Sequence, residues 1–216
     1  MSSFIGHSLA AVTVYVATEY VILPEGDRQK RFRSSTQQLI WVGCLIVTAS
    51  IPDLDYVVNA LNSYQNQGLR ITHSIAFSLI VPCLAIAILL LLKSQQVWRR
   101  GIQAILAALS HLILDLSVGV TPLPLLFPFI KIPFKLPFGI LPSAGRINLQ
   151  NYYFYRNLGL EMGVLIPLFL ITCLLAFNRI LAAENIWLFK FAGLSLAIAL
   201  LICASYFVGQ NLQLPR

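Results

Sequence analysis

Six stretches of about 20 mainly apolar residues constrain this chain more than any other feature. They run at 4 to 23, 38 to 56, 73 to 92, 101 to 120, 160 to 178 and 187 to 208. Each is close to the length a helix needs to cross a hydrocarbon core, and a helix is one of the few structures that satisfies its own backbone polar groups in lipid. Composition agrees: 58% of the residues are hydrophobic and 11% are charged, well outside the soluble range. The expected fold class is all-α, a polytopic bundle of about six transmembrane helices forming a single integral membrane domain over residues 1–216.

The formal net charge of +7 does not indicate nucleic acid. The basic residues fall in connections between apolar runs, as the positive-inside rule expects. Arg28, Lys30, Arg31 and Arg33 follow the first run, Lys93, Arg99 and Arg100 the third, and Arg179 and Lys190 the fifth. Charge bias therefore makes these three connections cytoplasmic, with membrane lipid as the expected partner. Cys44, Cys83, Cys173 and Cys203 lie scattered in apolar runs without the close pairing of a zinc ribbon or disulfide framework. The first run lacks a basic leader and carries His7 and Glu19, so it is expected to stay in the mature chain as a helix.

Ionisable residues inside such runs are costly and mark functional sites by default. His111 and Asp115 stand four residues apart in the fourth run, which puts both side chains on one helix face. Span parity gives them company. His7 begins the first run, Asp53 and Asp55 end the second, His73 begins the third, and Glu161 begins the fifth, all toward one membrane face. Glu19 lies roughly 18 Å along the first helix from His7, toward the other face. His111 lies about 6 Å deeper than Asp115, which implies a recessed pocket.

Between the fourth and fifth runs, residues 121–142 hold prolines at 122, 124, 128, 133, 137 and 142, a density no helix tolerates. The segment is nonetheless apolar, with an echo of Lys131-Ile132-Pro133-Phe134 in Lys135-Leu136-Pro137-Phe138. Non-helical backbone cannot lie bare in hydrocarbon, so an interfacial or re-entrant loop is expected. It either rests at the headgroups or covers the pocket as a lid.

His7, Asp53, Asp55, His73, His111 and Asp115 together make a metal-site inventory of imidazoles and carboxylates. Such donors suit a divalent ion, zinc or manganese first, and six would be enough for one or two ions. Each element alone has a plainer reading. A single His bonds a neighbouring helix, Pro52-Asp53-Leu54-Asp55 terminates a span, and Thr72 or Ser74 caps one. His111 with Asp115 is a buried ion pair. Convergence on one face favours the metal.

Gly6-His7, Pro52-Asp53-Leu54-Asp55, Thr72-His73-Ser74, and Ser110-His111 with Asp115 ahead of a Pro-Leu-Leu-Phe-Pro stretch resemble the LexA-binding, inner-membrane-associated hydrolase family. Its members are also described as membrane-bound metal-dependent hydrolases. The match runs in order over roughly residues 6 to 161. It departs at Tyr56 and Gly68, where the family usually has His, and Arg70 stands one position closer to His73 than the family Arg. The resemblance implies a bacterial inner (plasma) membrane location. With the charge bias, the site then faces the non-cytoplasmic side.

The leading expectation is a membrane-embedded metal-dependent hydrolase acting on a lipid or other membrane-associated ester. Asp53 and Asp115 are candidates for the base. Arg70, Thr72, Ser74 and Glu161 would support the ligands or contact the substrate, with Arg70 suited to a phosphate or carboxylate. The alternatives are ion or proton transport, which needs polar residues through to the far face, and a non-catalytic assembly factor with a degenerate site. Nothing in the residues identifies a protein partner.

Overall fold

The computed structural model describes residues 2–22, 35–55, 70–119, 121–137, 139–141, 143 and 150–181, and the isolated positions 193, 196 and 200. Among them the regular elements are helices, with one isolated antiparallel bridge between Leu123 and Phe134 in a non-helical segment. Helix α1 spans Phe4–Val16 and continues as a π-helical turn over Ala17–Ile22. Helix α2 spans Ser35–Ser50 and ends in a 3-10 turn, Ile51–Asp53. A second 3-10 turn, Ile71–His73, leads into α3 (Ile75–Ser78) and α4 (Ile80–Leu91). Helices α5 (Val97–Val118) and α6 (Tyr152–Leu181) follow.

Among the described residues, three helices are long and apolar enough to cross a membrane: Phe4–Ile22, Val97–Val118 and Tyr152–Ala176. Ile75–Leu91 is a shorter apolar helix, and α2 has 16 residues, about 24 Å of helix. The sixth expected span lies almost wholly outside the described residues, as do Tyr56 and Gly68.

Helix α5 is the central element because its sequence places small or polar residues on one stripe. Gly101, Ala104, Ala108, His111 and Asp115 are all buried, while Trp98 and Ile113 face outward. Small residues let neighbouring helices approach closely where lipid offers no hydrophobic drive between them. Helix α5 accordingly packs against α1, α2, α3 and α4, and α1 packs against α2 and α6. Ala11 of α1, Leu45 and Ala49 of α2, and Ala104 and Ala107 of α5 form a fully buried apolar plug. A left-handed Gly119 (φ 63°) ends α5 four residues after Asp115.

The proline-rich segment is a tethered loop. Leu123 and Phe134 exchange two backbone hydrogen bonds of 2.8 Å, and Leu123 is completely buried. The Leu125 carbonyl accepts from Ile75 N at 3.0 Å, and Ser117 O accepts from Ile140 N at 2.7 Å. Gly139 permits the return, since a Cβ there would lie 2.3 Å from the Val118 carbonyl oxygen. Phe129, Ile132 and Phe134 remain exposed.

Candidate metal centre

Four short pieces of chain deliver the polar residues to one end of the α1–α2–α5 core. Pro52 sits in the 3-10 turn that closes α2 and sets Asp53 at its end. Ser74 accepts a hydrogen bond from Phe77 N at 3.2 Å, capping α3 and fixing the turn that carries His73. His111 and Asp115 come from adjacent turns of α5. His7 lies on α1, whose N-cap Ser3 accepts from Gly6 N at 2.9 Å.

One donor atom from each of Asp53, His73, His111 and Asp115 lies within 4.8 Å of all the others. His73 Nε2 is 3.5 Å from Asp53 Oδ1 and 3.3 Å from Asp115 Oδ2. His111 Nε2 is 3.8 Å and 3.9 Å from the same two oxygens. A regular tetrahedron with bonds of about 2.0–2.1 Å has edges of about 3.3 to 3.4 Å, and the four imidazole–carboxylate separations of 3.3 to 3.9 Å lie at or above that edge. Asp53 Oδ1, His111 Nε2 and Asp115 Oδ2 are all buried without a hydrogen-bond partner. Buried polar atoms are almost always satisfied. Three orphans facing one point are what a cation would resolve.

The surrounding hydrogen bonds set both imidazoles in the ligating tautomer. His111 Nδ1 lies 2.7 Å from the Ala49 carbonyl, which can only accept, so the proton sits on Nδ1 and Nε2 is bare. His73 Nε2 lies 2.9 Å from Arg70 Nη2, which can only donate, so His73 carries its proton on Nδ1 as well. That Nδ1–H meets Thr72 Oγ1 at 2.9 Å, and the Thr72 hydroxyl donates to Asp55 Oδ2 at 3.2 Å.

The remaining predicted residues surround the cage. His7 is fully buried, stacks on His111 with ring centroids 3.9 Å apart, and has no hydrogen-bond partner on either ring nitrogen. Its Nε2 faces Asp53 Oδ2 at 3.6 Å and Asp115 Oδ1 at 3.5 Å, the oxygens the four-atom cage leaves over. Asp55 is taken up by a fork with Arg70, Nε to Oδ2 at 3.0 Å and Nη2 to Oδ1 at 3.2 Å. Glu161 holds the Ser2–Ser3 segment: it accepts from Ser3 N at 3.0 and 3.1 Å and from the Ser2 hydroxyl. Ser2 N then donates to Asp115 Oδ1 at 2.9 Å, roofing the site. Gly6 is required by this clamp, since a Cβ there would fall 2.0 Å from Glu161 Oε1.

The Ala49 carbonyl and the Ser2 amide belong to the site yet have no signature in sequence, because backbone groups carry none. A further polar cluster lies at the opposite end of the core. Glu19 accepts from Arg99 Nη1 at 3.2 Å and from Gln103 Nε2 at 3.1 Å, and Gln103 Oε1 accepts from Trp41 Nε1 at 2.7 Å.

A family match accompanies this geometry, covering residues 1–185 and described as the YdjM inner membrane protein family. The chain belongs to that family. It is accordingly an inner membrane protein, in keeping with its apolar helices. No curated protein and no solved structure matches the chain.

Proposed function

We propose that this chain is a membrane-embedded metal-dependent hydrolase of about six spans, acting at headgroup level on a lipid or another membrane-associated ester. The observation that carries the reading is the coincidence of two independent sets. The buried atoms lacking any hydrogen bond include three of the four donors that converge at ligand spacing. Asp53, His73, His111 and Asp115 would hold the ion, with His7 beside them, and zinc or manganese suits these donors. When bound, the ion would acidify a water molecule and polarise the ester oxygen.

The two carboxylates differ in what they can do next. The Asp115 side chain is completely buried and held by the Ser2 amide, so it is fixed in place. The Asp53 side chain is 21% exposed and lies at the open edge beside Arg70. It is the one able to take a proton from an incoming water and pass it to solvent. His73 is kept in its ligating tautomer by Thr72, and His111 by Ala49, so neither spends free energy on reorientation. The buried apolar plug of Ala11, Leu45, Ala49, Ala104 and Ala107 between the two ends weighs against transport.

The reading is tested by incubating purified protein in mixed micelles with phospholipid and soluble carboxylate and phosphate esters. Hydrolysis that stops on chelation, returns with zinc or manganese and is absent in Asp53→Asn is the expected result. Turnover unaffected by chelator and by that substitution would contradict it.

A further inference from the structure

Arg70 makes an unusual contact for a residue beside a cation site. Its Nη2 donates at 2.9 Å to His73 Nε2, one of the four cage atoms, and lies 4.0 Å from Asp53 Oδ1. A neutral imidazole nitrogen has a single lone pair, which can face a guanidinium or a metal ion but not both. The guanidinium is also the nearest fixed positive charge to a cage of two carboxylates, and it would repel a divalent cation. Its side chain is 20% exposed, and the Nη2 that meets His73 also donates to Asp55 Oδ1 at 3.2 Å beside Nε to Oδ2 at 3.0 Å, so Asp55 and His73 share one nitrogen and the Nε bond is the anchor left when His73 lets go. A partly exposed guanidinium that already forks one carboxylate, Asp55, and lies 4.0 Å from a second, Asp53, has the planar donor geometry that grips oxyanions.

We propose that Arg70 and the metal ion are alternative partners of His73 Nε2, and that loading the site hands the Arg70 guanidinium to a phosphate oxyanion of the substrate. The inference rests on the metal-centre reading and narrows its substrate class to phosphate esters. It makes three measurable claims: Arg70 weakens the empty site's hold on metal, phosphate and metal reinforce each other's binding, and Arg70 carries that reinforcement.

The test is a zinc titration against a chromophoric chelator, on the full chain in detergent, for the parent, Arg70→Gln and Arg70→Lys. Removing the competing state should tighten zinc binding about ten-fold in Arg70→Gln. Arg70→Lys keeps the charge but cannot fork Asp55 while reaching His73, so it should fall between. It also carries the test should Arg70→Gln lose its monodisperse elution. Inorganic phosphate, or a short-chain phosphatidic acid in the micelle, should tighten zinc binding in the parent and leave Arg70→Gln unchanged. Coupling from inorganic phosphate points to a soluble phosphate ester, and coupling from the lipid alone points to a headgroup. Zinc bound no more tightly by either variant, or no coupling from either phosphate source, would overturn the proposal while leaving the metal centre intact. No zinc bound by any of the three proteins would overturn the metal centre itself.

Discussion

The two ends of the α1–α2–α5 core carry buried polar clusters that look alike in composition and differ in how their atoms are satisfied. At one end, Glu19, Arg99, Gln103 and Trp41 pair carboxylate with guanidinium, amide with carboxylate and indole with amide, at 2.7 to 3.2 Å. At the other, His7, Asp53, His111 and Asp115 leave five buried side-chain atoms without a hydrogen bond. Between the ends lie about 12 Å of α5, counted from Gln103 to His111, and the alanine plug. The first cluster is closed on itself and can serve as a lock between helices. The second has imidazoles facing carboxylates at 3.5 to 3.9 Å with no hydrogen bond closing them. A polar group inside a membrane protein is thus more informative for the partners it lacks than for its presence.

Breaking a ligand should separate the clusters most sharply. Asp115→Asn should weaken metal binding by more than ~100-fold. In chelated protein it should leave thermal stability unchanged or raised, because it removes one of two crowded carboxylates while keeping an oxygen for the Ser2 amide. Glu19→Gln should do the reverse. It breaks the buried pair with Arg99 and should cost about 3 kcal/mol, read as a lower melting temperature in detergent, with metal affinity unaltered. If Glu19→Gln changed metal affinity as strongly as Asp115→Asn, the two ends would be one coupled system and the plug would not insulate them.

Smaller effects test the supports. Thr72→Val is nearly isosteric but removes the hydroxyl between His73 Nδ1 and Asp55. It should weaken metal binding by roughly ten-fold, the scale for losing an outer hydrogen bond to a ligating His. Equal affinity in Thr72→Val would show that the Thr72 hydroxyl does not support the ligand. Gly6→Ala should act through Glu161, since the added methyl group collides with Oε1 and pushes the Ser2–Ser3 segment off Asp115. An affinity loss of several-fold is expected, on the low side of the same scale. Normal affinity in Gly6→Ala would make the roof dispensable.

Much of this was legible in sequence because of parity. Once residues are assigned to successive spans, alternation of direction decides which polar groups share a face, so His7, Asp53, His73, His111 and Asp115 could be grouped and Glu19 excluded. The periodicity of a single helix puts His111 and Asp115 on one side. It cannot say that the Asp55 carboxylate turns away to Arg70, because that depends on the rotation of two 3-10 turns against each other. Glu161 was expected near the site as a helper of the ligands. Its hold on Ser2 and Ser3 was not visible, because it runs through backbone amides 158 residues away. Likewise, nothing in the residue types marks the Ala49 carbonyl, which meets His111 where the α-helical ladder of α2 gives way to the 3-10 turn.

A cation site at the cage of Asp53, His73, His111 and Asp115 requires bound metal in the protein as purified. Elemental analysis of the chain, purified in detergent without chelator, measures it directly alongside His73→Ala and Asp115→Asn. About one tightly bound ion per chain is expected in the parent, from a four-donor cage, with loss of that ion in both variants. A parent free of metal after incubation with zinc and manganese, or variants that retain the ion, would contradict it.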